Sequence, residues 1–168
     1  ATGTTDWQKR GAGMLADNGS PNLRYLFFVG NVSSGNDSGG GGLCVYNGGS
    51  PVVYSCAFFG NSAHWGGAVK LSAGSSAAFL NVIMAHNVAI NGGGLVVWDS
   101  NASITHSTFA ENNATSGGGL YLGSGAIVAM SNSIVWDNNA TDGANLKSTS
   151  SFMDTNHTMI QGGHGDVA

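Results

Sequence analysis

One asparagine column constrains this chain more than any other feature. Asn31, Asn61, Asn87, Asn112 and Asn138 follow each other at steps of 30, 26, 25 and 26 residues. Three residues before each of them stands an apolar residue: Phe28, Phe58, Met84, Phe109 and Val135, with Ile160 continuing the series. Eight residues before each stands another: Leu23, Val53, Phe79, Ile104 and Met130. After a glycine-rich corner come two more columns. One is Leu43, Val69, Leu95, Leu120 and Ala144; the other is Val45, Leu71, Val97, Leu122 and Leu146. Self-similarity at a fixed period of this size is the signature of an array, in which each repeat buries its apolar face only against its neighbours.

Each copy holds three short stretches in which apolar and polar residues alternate. In Leu120-Tyr121-Leu122 the leucines face one way and the tyrosine the other, which is the period of a strand. No window carries an apolar stripe at helical spacing. Three strands and three corners in about 25 residues make one coil of a parallel β-helix, with coils about 4.8 Å apart. Like residues then stack directly, giving an apolar ladder inside and an amide ladder at a corner. A propeller blade needs four strands and about 40 residues, so the period disfavours it. The expected fold is all-β: a single-stranded parallel β-helix of five to six coils, three short strands each.

The 28 glycines and 2 prolines would suit a disordered chain, but the glycines fall at fixed points between apolar columns, where tight corners need them. Only 8% of residues are charged and the net charge is −4, so there is no basic patch for nucleic acid. No run of 18 apolar residues makes a membrane span.

Residues 1–21, with Trp7, Lys9 and Arg10, fall outside the repeat and read as an N-terminal cap or a partial coil. Residues 22–168 read as the β-helix, its last coil incomplete. The first coil carries an insertion, NVSSGNDSGGGG, which accounts for the step of 30. Cys44 lies between inward Leu43 and Val45 and is expected as a surface thiol, whereas Cys56, two before Phe58, is expected inside. Their diverging directions disfavour a Cys44–Cys56 disulfide.

The segments NSIVWDNNATDGANL and NHTMIQGG, the recurring pairs Phe28/Asn31, Phe58/Asn61 and Phe109/Asn112, and the glycine corners at 66–69, 92–95 and 117–120 resemble the parallel β-helix repeats of polymorphic outer membrane proteins. The resemblance covers about Leu23 to Gly163. It implies a right-handed coil and an extracellular or cell-surface protein, often an adhesin, and does not imply an enzyme.

Several residues could carry chemistry. Asn18, Asn31, Asn36, Asn101, Asn113, Asn139 and Asn156 each open a glycosylation triplet; Asn113 and Asn139 hold equivalent places, one residue after a ladder asparagine. His86, Glu111 and Asp137 immediately precede ladder asparagines and form one outer-edge column, a candidate cation or acid site that reads foremost as a solvated edge. His106 and His157 share a column with Asn81 and Asn132, read as a second polar ladder. No zinc spacing, phosphate loop or serine nucleophile motif is present, and no cofactor is expected. The outward column Cys44, Lys70, Val96, Tyr121, Asn145 is too irregular for an ice-binding face. The sequence thus reads as a non-catalytic extracellular structural or adhesive module, whose partners are other copies meeting end to end in a fibre, or surface glycans and proteins. The alternative is a carbohydrate-binding or polysaccharide-degrading β-helix, a lyase or hydrolase, using His86, Glu111 and Asp137.

Overall fold

The structure, a computed structural model, describes residues 10–162. Trp7, Lys9 and Gly163 therefore lie outside the described residues. The chain winds into a parallel β-solenoid of about six turns with roughly 26 residues per coil. Every strand pairing in it is parallel, joining a strand to its counterpart one coil away.

Four sheets run along the solenoid. Sheet I stacks Met14–Asp17, Leu43–Tyr46, Val69–Leu71, Leu95–Val97, Leu120–Leu122 and Leu146–Ser148. Sheet II stacks Asn22–Arg24, Val52–Tyr54, Ser76–Leu80, Asn101–Thr105, Ile127–Ser131 and Phe152–Asn156. Sheet III stacks Phe27–Val29, Ala57–Phe59, Ile83–Ala85, Thr108–Ala110, Ile134–Trp136 and Met159–Ile160. Sheet IV holds four strands, Ser62–Trp65, Val88–Asn91, Asn113–Ser116 and Asn139–Asp142. It is the fourth strand of the coil, beyond the three that the alternation marks. Its copies differ most in apolar content (SAHW, VAIN, NATS, NATD), so they carry little period-two signal. Among the described residues no helix is long and apolar enough to cross a membrane.

The core is the set of inward columns. Phe28 and Phe58 stack with ring centroids 4.6 Å apart and planes 2° from parallel. Phe58, Met84, Phe109 and Val135 continue that column, fully buried. Val53, Phe79, Ile104 and Met130 form the second, facing it from sheet II. The sheet I columns end differently from expectation. Leu146 pairs with Leu120, and Ser148 with Leu122, so Ala144 and Leu146 each stand two places from the register assigned above. The reason is the corner. Gly117 and Gly143 hold the same left-handed conformation, φ 66° and 64°, so Ala144 and Asn145 take the places of Gly118 and Gly119, and the strand starts at Leu146.

Residues 10–21 are part of the winding. Gly11 repeats the left-handed corner at φ 62°, and Met14–Asp17 pairs in register with Leu43–Tyr46. Met14 and Ala16 thereby occupy the inward places of Leu43 and Val45.

Buried polar groups are satisfied by ladders. The middle rungs of the asparagine ladder each give their Nδ2 to two acceptors: Asn112 donates to Asn138 Oδ1 at 2.9 Å and to the Met84 carbonyl at 2.8 Å. Its own Oδ1 accepts the backbone and side-chain N–H groups of Asn87. The same pattern holds at Asn61 and Asn87. A second ladder, which the sequence did not mark, runs through Cys56, Val82, Ser107 and Ser133. Ser107 Oγ accepts from the Val82 amide and donates to the Thr105 carbonyl; Ser133 does the same for Ser107 and Ser131.

Candidate functional site

The outer face of sheet I departs from the rest of the surface. Along this face alternation turns Leu15, Cys44, Lys70, Val96, Tyr121 and Lys147 away from the core. Lys147 holds the place expected for Asn145, by the shift of register described above. Yet Cys44 and Val96 have no exposed surface at all. The expected surface thiol at Cys44 is therefore buried, because a second layer of side chains covers this sheet from outside. Burial pushes that thiol up to about 11 from an ordinary 9.0, with Lys70 and Arg10 pulling the other way. Cys56 is buried on the inner side, its Sγ 3.3 Å from the Tyr54 carbonyl, and both thiols are free.

An aromatic cluster stands on this side of the solenoid. Trp65 ends its strand of sheet IV beside the face; Tyr121 rises from sheet I, and Trp98 directly follows the sheet I strand Leu95–Val97. Trp65 meets Trp98 and Tyr121 edge to face, centroids 5.7 and 5.8 Å away. Trp98 and Tyr121 lie parallel, 6.4 Å apart. Such pairs each add about 0.5–1.5 kcal/mol beyond the area they bury, so the three rings hold one another. Glycine makes room for them: a Cβ on Gly123 would collide with the Trp98 ring.

Beside this wall lies an open cleft of about 330 Å³. Ser72 lies in it one coil after Tyr46 and one coil before Trp98, by the register that pairs Leu71 with Val45 and Val97. Two aromatic residues thus stand two coil spacings apart, about 9.6 Å, over a small one. Arg10, Asp37 and Lys70 complete the lining. The Arg10 guanidinium lies over the Tyr46 ring, 3.7 Å from its centre. Lys70 Nζ stands 5.7 Å from the centre of Trp65, and its stem rests on Gly39, which the insertion of the first coil delivers there. Burial pulls the Lys70 ammonium below the ordinary lysine range; Arg10 works in the same direction, Cys44 and Asp37 against it.

The chain matches no family, no curated protein and no solved structure in the three comparisons made.

The outer-edge column is elsewhere, at the corner between sheets III and IV. His86, Glu111 and Asp137 each adopt a left-handed backbone, φ 56°, 54° and 52°, at the place where other coils have Gly30, Gly60 and Gly162. His86 Nδ1 stands 3.3 Å from Glu111 Oε2, and its ring packs edge to face on Phe59. Both side chains are about half exposed, and among the described residues no three His, Cys, Asp or Glu side chains gather into a metal site. These residues are turn formers, and none lines the cleft. Asn81, His106, Asn132 and His157 are likewise left-handed corner residues and exposed, in one column with Tyr25 and Ser55. Asn81 Nδ2 donates to Ser55 Oγ there.

Of the glycosylation triplets, Asn31 is half-buried and donates its Nδ2 to Asn61 Oδ1, so its amide belongs to the fold. Asn18, Asn36, Asn101, Asn113, Asn139 and Asn156 are exposed. Asn113 and Asn139 are direct register partners in sheet IV, with Nδ2 and Oδ1 3.4 Å apart.

The sequence reading passed over Trp65, Trp98 and Tyr46. Trp65 is the one aromatic of its column, and Tyr46 and Trp98 share a column with Ser72 between them, so a period of one coil does not mark them. The signal available was that departure itself: large aromatics at places where other coils have Asn91, Ser116, Ser72 or Gly123.

Proposed function

We propose that this chain is a non-catalytic extracellular adhesive module that binds carbohydrate in the cleft between Tyr46, Trp65 and Trp98. The observation that carries this is the cleft's composition. Aromatic rings wall a concave site of the size small ligands use, about 300–1,000 Å³, with cationic and hydroxyl groups beside them. A sugar ring presents C–H groups on its faces and hydroxyls on its rim. The former pack on an aromatic wall; the latter find Ser72 and Asp37. A rigid solenoid suits this task, since its stacked strands fix the wall without a loop having to close. The resemblance to polymorphic outer membrane protein repeats supports the extracellular placement and the adhesive role. The test is titration against a broad glycan panel, followed by tryptophan fluorescence. Binding by the parent that Trp98→Ala abolishes and Trp98→Phe partly keeps is the expected result. A parent that binds no glycan in the panel would sink the reading.

Self-association is a second reading, favoured by sheet III. Its outward columns leave Phe27, Phe59, Ile83, Ile134, Trp136 and Met159 exposed along one flat face, an unusual apolar patch for a monomer. The strands Phe152–Asn156 and Met159–Ile160 also pair on one side only among the described residues. Light scattering over a range of concentrations separates the cases. A mass that rises with concentration, and falls back on Phe59→Ser, supports association; a constant monomer mass rules it out.

A further inference from the structure

Resting on the carbohydrate reading, we infer that the cleft selects an acidic sugar, a uronate unit whose carboxylate sits between Arg10 and Lys70 while its ring packs on the aromatic wall. The whole chain has five lysines and arginines, and two of them line this one cleft. Among the described residues the ion pairs are His86–Glu111 and Lys147–Asp142, so neither Arg10 nor Lys70 has a carboxylate within pairing distance there. Each instead rests on an aromatic ring, Arg10 on Tyr46 and Lys70 near Trp65. A guanidinium stacked by its face keeps its edge donors directed outward, in the fork that receives a carboxylate. Lys70 is half-buried and carries a desolvation cost that an arriving anion offsets.

Asp37 opposes a second negative charge. It is exposed, lines the same cleft, and leaves the lining with two cations against one anion. That balance suits a single carboxylate on a sugar whose hydroxyls Asp37 can accept from. It does not suit a nucleic acid. Single-stranded binders combine stacking platforms with a positive groove that tracks many phosphates, and this chain has net charge −4 and no such track.

The probes are α-1,4-linked trigalacturonate, its uncharged methyl ester, which keeps the ring shape, and a six-nucleotide oligothymidylate. Calorimetric titration at low salt should give about tenfold tighter binding of the acid than of the ester, the factor expected for one charge-assisted pair. Lys70→Met and Arg10→Met, which keep the aliphatic stems, should each shrink that preference, Lys70→Arg should restore it, and melting curves of all variants should stay cooperative. Equal binding of acid and ester overturns the inference and leaves the carbohydrate reading standing. Binding of the ester alone, or tighter binding of the oligonucleotide, overturns it too. Failure of trigalacturonate to bind also overturns it, and the neutral glycan panel then decides separately whether the cleft binds sugars at all.

Discussion

Asn138 donates its side-chain amide to Asn145 Oδ1 at 2.9 Å, a residue only seven places on, whereas every earlier rung donates to an asparagine one coil away. The Asn138 backbone N–H points at the same oxygen, at 3.3 Å, and Asn145 passes its own Nδ2 to the Gln161 carbonyl. Asn145 stands where the coil before has Gly119, so its side chain projects into the space a further rung would fill. The ladder is thus ended from within the fold, with no amide left unpaired.

The first prediction follows from that termination. Asn145→Ala takes the acceptor from the Asn138 backbone N–H in a buried corner, while Asn138 Nδ2 keeps the Phe109 and Trp136 carbonyls, and an unsatisfied buried group costs about 1–3 kcal/mol. Denaturant unfolding should show a loss in that range, and amide exchange at Asn138 should accelerate. Asn138→Ala should cost more, because it also removes the acceptor of both Asn112 donors. Equal losses for the two variants would mean that Asn145 does more than close the ladder.

A second prediction contrasts two phenylalanines of sheet III. Phe109 has no exposed surface and sits between Met84 and Val135 in its column. Phe109→Ala should cost about 3–5 kcal/mol in transfer and cavity terms. Phe27 faces outward and is 80% exposed. Phe27→Ala should fall within about 0.5 kcal/mol of the parent. Thermal melts of the two variants read both at once.

What the sequence shows of this fold is what recurs. Phe28, Phe58, Phe109 and their asparagines stack in the structure as their spacing requires. The partial coil at residues 10–21 was legible too, since GAGMLADN runs parallel to GGGLCVYN at 40–47, but Ala16 for Val45 and Asp17 for Tyr46 hide it from a search for large apolar residues. Sheet IV carried too weak an alternation, and the register near Leu146 turned on Asn145 standing in for a glycine. The cleft was illegible for a different reason. Period-two alternation says that Cys44 and Val96 point outward; it cannot say that Trp65, Trp98 and Tyr121 fold back over that face.

The outer-edge column gives a third prediction with an unusual sign. Glu111 sits at φ 54°, a conformation that costs an ordinary residue about 1–2 kcal/mol and glycine almost nothing. The equivalent places in other coils include Gly30 and Gly60. Its half-exposed contact with His86 contributes little in return. Glu111→Gly should therefore leave the melting temperature unchanged or raise it, after the larger unfolded-state entropy of glycine is subtracted, and should leave glycan binding intact. Loss of an activity or of a bound cation in that variant would show that the column does chemistry. Gly60→Val, the reverse change, should destabilise.

The last prediction concerns alkaline pH, where the covered face of sheet I holds two groups of opposite sense. The Cys44 thiol is raised in the fold to about 11 from 9.0, so the folded state holds its proton more tightly than the unfolded chain does. The stability this contributes is fully present below pH 9 and is lost as pH rises from 9 to 11. The Lys70 ammonium is lowered by burial, so the folded state holds that proton less tightly. Its cost is present while it is charged and is relieved as pH rises through its folded pKa toward the ordinary 10.5. In the parent the two trends oppose each other. Lys70→Met removes the relief, so its melting temperature, measured with reductant present, should fall more steeply between pH 9 and 11 than the parent's. Cys44→Val removes the loss, so its decline should be shallower than the parent's. Identical slopes in all three proteins would show that the fold does not hold the Cys44 thiol away from solvent on the outer side of sheet I.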